Sequence, residues 1–204
     1  MKPYMVWALA LTVSGCALTS KSEVVEVRYF TPERTMPAPT PTLTSANAGM
    51  EAAPAPIDLR LAKVTSGPHL RERIAYREAN HEIGYYDDRR WTERPDAYVR
   101  RALEHRLFED AAFRRVLGGT APALDIEVLA FDEIRTPTGR AARVSIRMVL
   151  FRDRVVLKED TITIDVPVPA TKDPGVPEIV AALSTALDFA TTQVATRVRA
   201  AVQR

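Results

Sequence analysis

The last eighty residues carry the pattern that most restricts the fold: three stretches of alternating apolar residues, then one long amphipathic stretch. Residues 161 to 166 alternate between threonine or aspartate and isoleucine or valine, which is typical of a half-buried strand. Turn residues at Gly139 and Asp153 separate the three stretches, so they predict an antiparallel meander. From Pro177 onward, apolar residues recur every three or four positions, which predicts a long helix. We interpret its apolar stripe as core packing rather than a coiled coil. The strands are expected over 124–134, 142–151 and 155–166, with Val156 on the same face as Ile162.

Shorter elements are predicted upstream. Strands are expected over 24–30, 57–64, 73–77 and 82–86. A helix should begin at Pro95 and run to about Asp110, with a further turn to Leu117 left open. The charged run from Asp87 to Arg90 is typical of a solvated loop. Together these elements predict an α+β fold: a single small domain, with a mostly antiparallel sheet of about five to seven strands packed by two helices, the second long and C-terminal.

The N-terminus has the order of a bacterial lipoprotein signal. Lys2 is followed by an apolar run from Met5 to Val13 and then by Ser-Gly-Cys. The run of about nine residues is too short to remain as a spanning helix, which needs about twenty. The Val-Ser-Gly-Cys tetrad matches a lipobox, because a branched residue and two small residues precede the cysteine. We therefore predict a signal peptide over 1–15, lipid attachment at Cys16 and a tether over 16–23.

Cys16 is the one cysteine of the chain, so the mature domain over 24–204 has no thiol for a disulfide or a metal site. No cofactor is expected beyond the covalent diacylglycerol and N-acyl chain on Cys16. Residue 17 is alanine rather than aspartate, which by resemblance to enterobacterial sorting implies the outer membrane, facing the periplasm. The segment 31–56 carries six prolines and is interpreted as a surface loop, with a spacer or a ligand for proline-binding domains as the alternative.

Few residues offer reactive chemistry. The sequence has no Gly-rich phosphate loop, no GxSxG motif and no HExxH motif. Its three histidines, His69, His81 and His105, fall in a predicted loop, turn and helix, far apart in sequence. Without residues 1–15 the basic and acidic side chains nearly balance, which argues against nucleic-acid binding. The sequence therefore predicts a protein that is not an enzyme.

A concentration of aromatic residues beside arginines is the strongest candidate site. Both residue types are enriched at interface cores, and both also pack where a helix meets a sheet. Packing is the favoured interpretation for Trp91, whereas packing and partner binding are equally weighted for Tyr85 and Tyr86. The candidate partner-binding or packing residues are Tyr76, Arg77, Tyr85, Tyr86, Arg90 and Trp91.

The same residues carry a resemblance to a known family. The chain resembles the ABC-type transport auxiliary lipoproteins, the PqiC-like group associated with Mce-type lipid transporters. The matching segments are Arg28-Tyr29-Phe30-Thr31-Pro32, Ile74-Ala75-Tyr76-Arg77, Tyr85-Tyr86 and Arg90-Trp91-Thr92-Glu93-Arg94-Pro95.

The resemblance implies a non-catalytic outer-membrane lipoprotein that docks on periplasmic conduit proteins in a lipid-trafficking system. The implied partners are an Mce-domain protein and an ABC permease and ATPase, and members of the group can form homo-oligomeric rings. The alternative is an assembly factor for outer-membrane proteins or a regulator of a cell-wall synthase.

Overall fold

The computed structural model describes residues 26–32, 56–110, 113–169 and 175–203, which form one α+β domain. The strands are β1 (Arg28–Phe30), β2 (Ile57–Ser66), β3 (Arg73–Arg77), β4 (Ile83–Trp91), β5 (Phe113–Arg115), β6 (Ala123–Thr136), β7 (Gly139–Arg152) and β8 (Val155–Pro167). The helices are α1 (Pro95–Glu104), which continues into a π-helical turn (His105–Glu109), and α2 (Val176–Val202). The predicted signal peptide, Cys16 and most of the proline-rich segment lie outside the described residues.

Strand β6 organises the sheet. On one side it pairs antiparallel with β7, which pairs with β8 in the predicted meander. On its other side it holds two parallel strands end to end: β2 lies beside its first half and β3 beside its second half. Beyond these lie β5, next to β2, and β4 followed by β1, next to β3. The predicted α+β class is confirmed, but the described sheet has eight strands and is mixed, because four of its pairings are parallel.

Both helices pack on one face of the sheet and form the core with it. The inward residues of β7 have no more than a trace of exposed surface, as do the apolar residues of α2 that face them. These residues are Val144, Ile146, Met148, Leu150, Ile179, Leu183, Ala190, Val194 and Val198. Within the described part of the chain, α2 is the one helix long and apolar enough to span a membrane by length and composition, and over half of its most apolar window is buried in the domain.

The opposite face of the β6–β8 sheet is polar. Arg143 donates to Asp165 across β7 and β8 at 2.7 Å, and Arg147 donates to Glu159 at 2.6 Å. The hydroxyls of Ser145 and Thr163 lie 2.8 Å apart between these two pairs. The alternation predicted for this region therefore separates a buried apolar face from a face of paired charges.

Three local predictions are wrong. The run Asp87–Arg90 lies inside β4 rather than in a loop, because this strand is paired by β1 on one side and β3 on the other. The further helical turn towards Leu117 is replaced by β5, whose Phe113 is buried opposite Ile57. Val156 is 55% exposed, because a bulge after Val156 breaks the alternation that joins it to the core residues of β8.

Candidate functional site

The indole of Trp91 lies in the core. It is 1% exposed, and its ring lies edge-on to Tyr98 of α1 and Phe131 of β6, with centroid distances of 6.1 and 5.4 Å. The backbone N–H of Glu93 donates to the Tyr98 hydroxyl at 2.9 Å, which ties the end of β4 to the start of α1. Trp91 therefore packs the sheet against α1 and offers no surface to a partner.

Tyr76 and Tyr86 come together in a polar group at one end of the core. Strand register brings them there: β3 places Tyr76 opposite Glu133 of β6, and Tyr86 follows on the neighbouring strand β4. The two rings meet edge to face at a centroid distance of 5.6 Å. With two arginines from β6 and β7 they form what we name the Glu133 cluster: Tyr76, Tyr86, Glu133, Arg135 and Arg140.

The Glu133 carboxylate is the centre of this cluster. Its side chain has no exposed surface, and it accepts hydrogen bonds from the Tyr86 hydroxyl at 2.6 Å and from Arg135 at 3.1 Å. Arg140 donates to the same carboxylate and also to the Tyr86 hydroxyl, the latter at 2.9 Å. The guanidinium carbon of Arg135 lies 3.6 Å from the centroid of the Tyr76 ring, close enough for a cation–π contact. A buried charge is therefore held by a fully connected network.

The network sets the protonation states of its members. Burial alone would raise the pKa of Glu133, but the hydrogen bonds from Arg140, Arg135 and Tyr86 outweigh burial and lower this pKa. Burial and the bond to Glu133 raise the pKa of Tyr86. The cluster thus keeps one carboxylate, two guanidinium groups and a neutral phenol at neutral pH, and none of these is poised to exchange a proton there.

Asp132 points to the other face of the sheet. Arg77 donates to its Oδ2 at 3.1 Å, while Oδ1 is buried with no hydrogen-bond partner among the described residues, as is the Nε2 atom of His69. The Tyr85 hydroxyl donates to the carbonyl of His69 at 3.2 Å. Burial raises the pKa of Asp132 more than Arg77 lowers it. Arg90 donates to the carbonyl oxygens of Tyr86 and Arg89 on its own strand at 3.1 Å, so it contacts the Glu133 cluster through the backbone of Tyr86.

The geometry gives no nucleophile with a base and an orienting group among the described residues. His81 lies in an exposed turn at φ 70°, and His105 Nδ1 lies 2.5 Å from Glu109 Oε2 on the helix surface. Within the described part of the chain, no group of three histidine, cysteine or acidic side chains is placed to hold a metal ion. The six candidate residues take part in packing, hydrogen bonds and charge pairing, and partner binding by Tyr85 and Tyr86 stays a prediction.

A groove between α1 and α2 is a feature that the sequence did not single out. It has a volume of about 490 Å³, within the range of small-molecule sites, and its surface is mainly apolar. Ser184 and Thr191 donate to carbonyls of their own helix at 2.9 Å, so their methylene and methyl groups help to line it. The lining residues are Thr31, Pro32, Tyr98, Arg101, Ala102, His105, Ser184, Leu187, Asp188 and Thr191. The sequence does indicate that Tyr98, Ala102 and His105 share one face of α1, because they are spaced four and three residues apart.

Comparison with known proteins places the chain among relatives. A family model described as "ABC-type transport auxiliary lipoprotein component" matches residues 35–195, most of the chain. No curated protein is similar enough in sequence to count as a match.

Solved structures share the fold. A Xanthomonas campestris protein aligns with a TM-score of 0.63 at 22% identity, over 72% of this chain and 86% of that one. An uncharacterized protein aligns with a TM-score of 0.59 at 15% identity, over 71% and 95%. A hypothetical protein from Chlamydia trachomatis aligns with a TM-score of 0.52 at 8% identity, over 72% and 98%. At these identities the likeness establishes the fold alone.

Proposed function

Because the chain belongs to the family of ABC-type transport auxiliary lipoprotein components, we propose that it is a non-catalytic, outer-membrane-anchored component of an ABC/Mce-type lipid-trafficking system. The family match over residues 35–195 carries the proposal. Membership implies association with an ABC transport system. The finer role is to dock on the periplasmic Mce-domain protein that conducts lipid from that transporter.

The predicted lipid at Cys16 would hold the domain at the membrane where it meets its partner. An anchored domain searches for its partner in two dimensions, so its effective concentration is high and a modest interface suffices. Stable anchoring needs more than one acyl chain, which a diacylglycerol with an N-acyl chain supplies. We expect Cys16→Ser to leave the fold intact and to abolish membrane retention and function. A soluble Cys16→Ser protein that is fully active would overturn this part of the proposal.

Fractionation and cross-linking test the location and the partners. Outer and inner membranes are separated on a density gradient, and cross-linked complexes of the full-length protein are identified by mass spectrometry. We expect recovery with the outer membrane and cross-links to an Mce-domain protein. Cross-links to an outer-membrane assembly machine or a cell-wall synthase would instead support the alternative function. Native mass spectrometry of the same preparation tests for a ring of identical copies.

The α1–α2 groove is the surface that we propose contacts a lipid acyl chain during transfer. Its surface is mainly apolar, although Arg101, His105 and Asp188 also line it, and its volume suits an acyl segment. Ala102→Trp should fill the groove and abolish binding of a fluorescent fatty acid. Ala200→Trp, at an exposed position near the end of α2, is the matched control and should bind normally. Equal binding by both variants would remove the groove from the proposal.

A further inference from the structure

The tip of the β7–β8 hairpin exposes three consecutive apolar side chains. Val155 is 63% exposed, Val156 55% and Leu157 40%, and they belong to the few large apolar residues of the described chain with this much exposed surface. Neighbouring residues of a strand point to opposite faces, so both faces of the tip are apolar. Exposed apolar groups that form a continuous patch mark a contact with a partner or a membrane.

The backbone at this tip forms a turn followed by a bulge. Asp153 and Arg154 form the turn with φ angles of 50° and 68°, in the left-handed region. Val156 pairs with Phe151 and Lys158 with Leu150, so Leu157 is the extra residue of a bulge. Beyond β8 no further strand lies among the described residues. The tip is thus a bulged end of an edge ribbon, and the described part of the domain leaves its apolar side chains largely exposed.

The charges at the tip differ from those on the rest of the ribbon. Further along β7, Arg143 and Arg147 are paired with Asp165 and Glu159. Arg152 precedes the turn and Arg154 is its second residue, with Asp153 between them, and neither arginine forms an ion pair or a side-chain hydrogen bond among the described residues. Cations with no partner in the described part of the chain, beside exposed apolar side chains, complement an anionic phospholipid surface, where the cations meet phosphates and the apolar groups enter the interface.

We propose that the tip, residues 152–157, inserts into the headgroup region of an anionic phospholipid bilayer. A docked protein would cover one face of the ribbon, whereas a bilayer surrounds both faces, which matches the two-sided exposure of Val155 and Val156. This inference needs the membrane anchor at Cys16, but it does not need the Mce-type partner or the acyl groove.

The length of the N-terminal segment permits this arrangement. Arg28 lies opposite Arg89 of β4, level with the second half of β6. From that level to the tip is about nine strand residues, and β1 runs towards the tip, so Glu26 lies about two residues farther away, at about 36 Å. Nine residues separate Cys16 from Glu26, and their ten Cα–Cα steps span at most about 35 Å. Anchor and tip can therefore share one membrane plane when the ribbon is tilted from the membrane normal, which shortens the height that the segment must span.

A single-cysteine label tests the proposal in the full-length protein. Val156→Cys is labelled with an environment-sensitive fluorophore and reconstituted into vesicles of phosphatidylethanolamine and phosphatidylglycerol that contain headgroup-quencher lipids. Thr138→Cys, at the exposed turn at the other end of β7, is the matched control. The wild-type chain, labelled in parallel, gives the background from Cys16.

We expect quenching and a blue shift at position 156 and neither at position 138. In the label variant, Arg152→Gln and Arg154→Gln should each lower the equilibrium constant for insertion about fivefold. Circular dichroism confirms that the variants are folded. Each of three results would overturn the proposal. The first is an emission spectrum at position 156 that is typical of water, and the second is equal quenching at positions 156 and 138. The third is an equilibrium constant for insertion that neither arginine substitution changes. Loss of Mce-protein binding with insertion intact would refute the proposed function and leave this inference standing.

Discussion

Replacing Glu133 with glutamine tests whether the buried carboxylate holds its cluster together. Removing one partner of a buried ion pair costs about 3–5 kcal/mol, because the remaining charge is left unpaired. Here the Arg135 and Arg140 side chains keep 29% and 23% of their surface exposed, so they regain part of their hydration. We therefore expect Glu133→Gln to lower the free energy of unfolding at pH 7 by about 3 kcal/mol, the low end of that range. In a domain of this size the Tm should fall by about 6–12 °C.

The same variant has a predicted pH dependence. The pKa of Glu133 is lowered from 4.5 in the folded protein, so its stabilising effect is fully present above that pH and is lost as the pH falls further. The difference in unfolding free energy between wild type and Glu133→Gln should therefore be constant from pH 5 to 8. It should shrink below about pH 4.5. Urea unfolding followed by circular dichroism at several pH values measures both effects.

Glu159→Gln is the matched control. Glu159 accepts hydrogen bonds from Arg147 on the same sheet, but its side chain is 49% exposed, and exposed pairs contribute little. We expect no measurable change in its urea midpoint. If Glu133→Gln loses less than about 1 kcal/mol, or no more than Glu159→Gln, the reasoning that the Glu133 cluster stabilises this end of the core is refuted.

Three further variants test the packing and the second carboxylate. Trp91→Ala should destabilise the domain by about 3–5 kcal/mol, and a variant that stays as stable as wild type in urea would contradict the core position of Trp91. Gly84→Ala should lower the Tm, because a Cβ there would lie 2.3 Å from the Tyr76 ring. This decrease in Tm should vanish in a Tyr76→Leu background. A decrease that persists in that background would argue against the contact. Asp132→Asn should raise the Tm at pH 7, because burial raises the pKa of Asp132 and so disfavours its charged form. The increase in Tm should become smaller towards acid pH, where Asp132 is protonated. A lower Tm of the variant at pH 7 would mean that the pairing of Asp132 with Arg77 outweighs the cost of its burial.

The meander and the C-terminal helix could be predicted because their patterns persist over many residues. Apolar and polar residues that alternate over ten or more positions are compatible with a strand and not with a helix. An unbroken apolar stripe from Ile179 to Val198, spaced three or four residues apart, is compatible only with a helix. The parallel pairings of β2 and β3 with β6 could not be predicted, because alternation reports which face is buried and not which strand lies beside it. The loop prediction for Asp87–Arg90 is wrong because charged residues also occupy the solvent side of strands near a sheet edge.

The candidate site was partly predictable. Tyr76 and Tyr86 stood out as aromatic residues near arginines, but their charged partners belong to β6 and β7, some fifty residues later in the chain. Register alone brings Glu133 beside Tyr76, and register depends on the whole sheet. The sequence does not predict the α1–α2 groove, because its lining mixes apolar and polar residues. The periodicity of the sequence places such residues at the border of the apolar face of a helix, and it does not show that two helices leave a groove there.

The two parallel strands that share one side of β6 also affect the order of folding. Arg60 pairs with Ala123 and Ala75 with Asp132, so β2 and β3 can pair with β6 only after about sixty further residues have followed them. Non-local pairings of this kind form slowly, because closing a long loop costs conformational entropy before the contacts between the strands stabilise it. While the chain is made and moved from its N-terminus, β4 can already pair with β1 and β3, but β2 finds its described partners only when β5 and β6 follow. We therefore expect the sheet to be completed only when β6 arrives, on the far side of the membrane that the predicted signal peptide would carry the chain across.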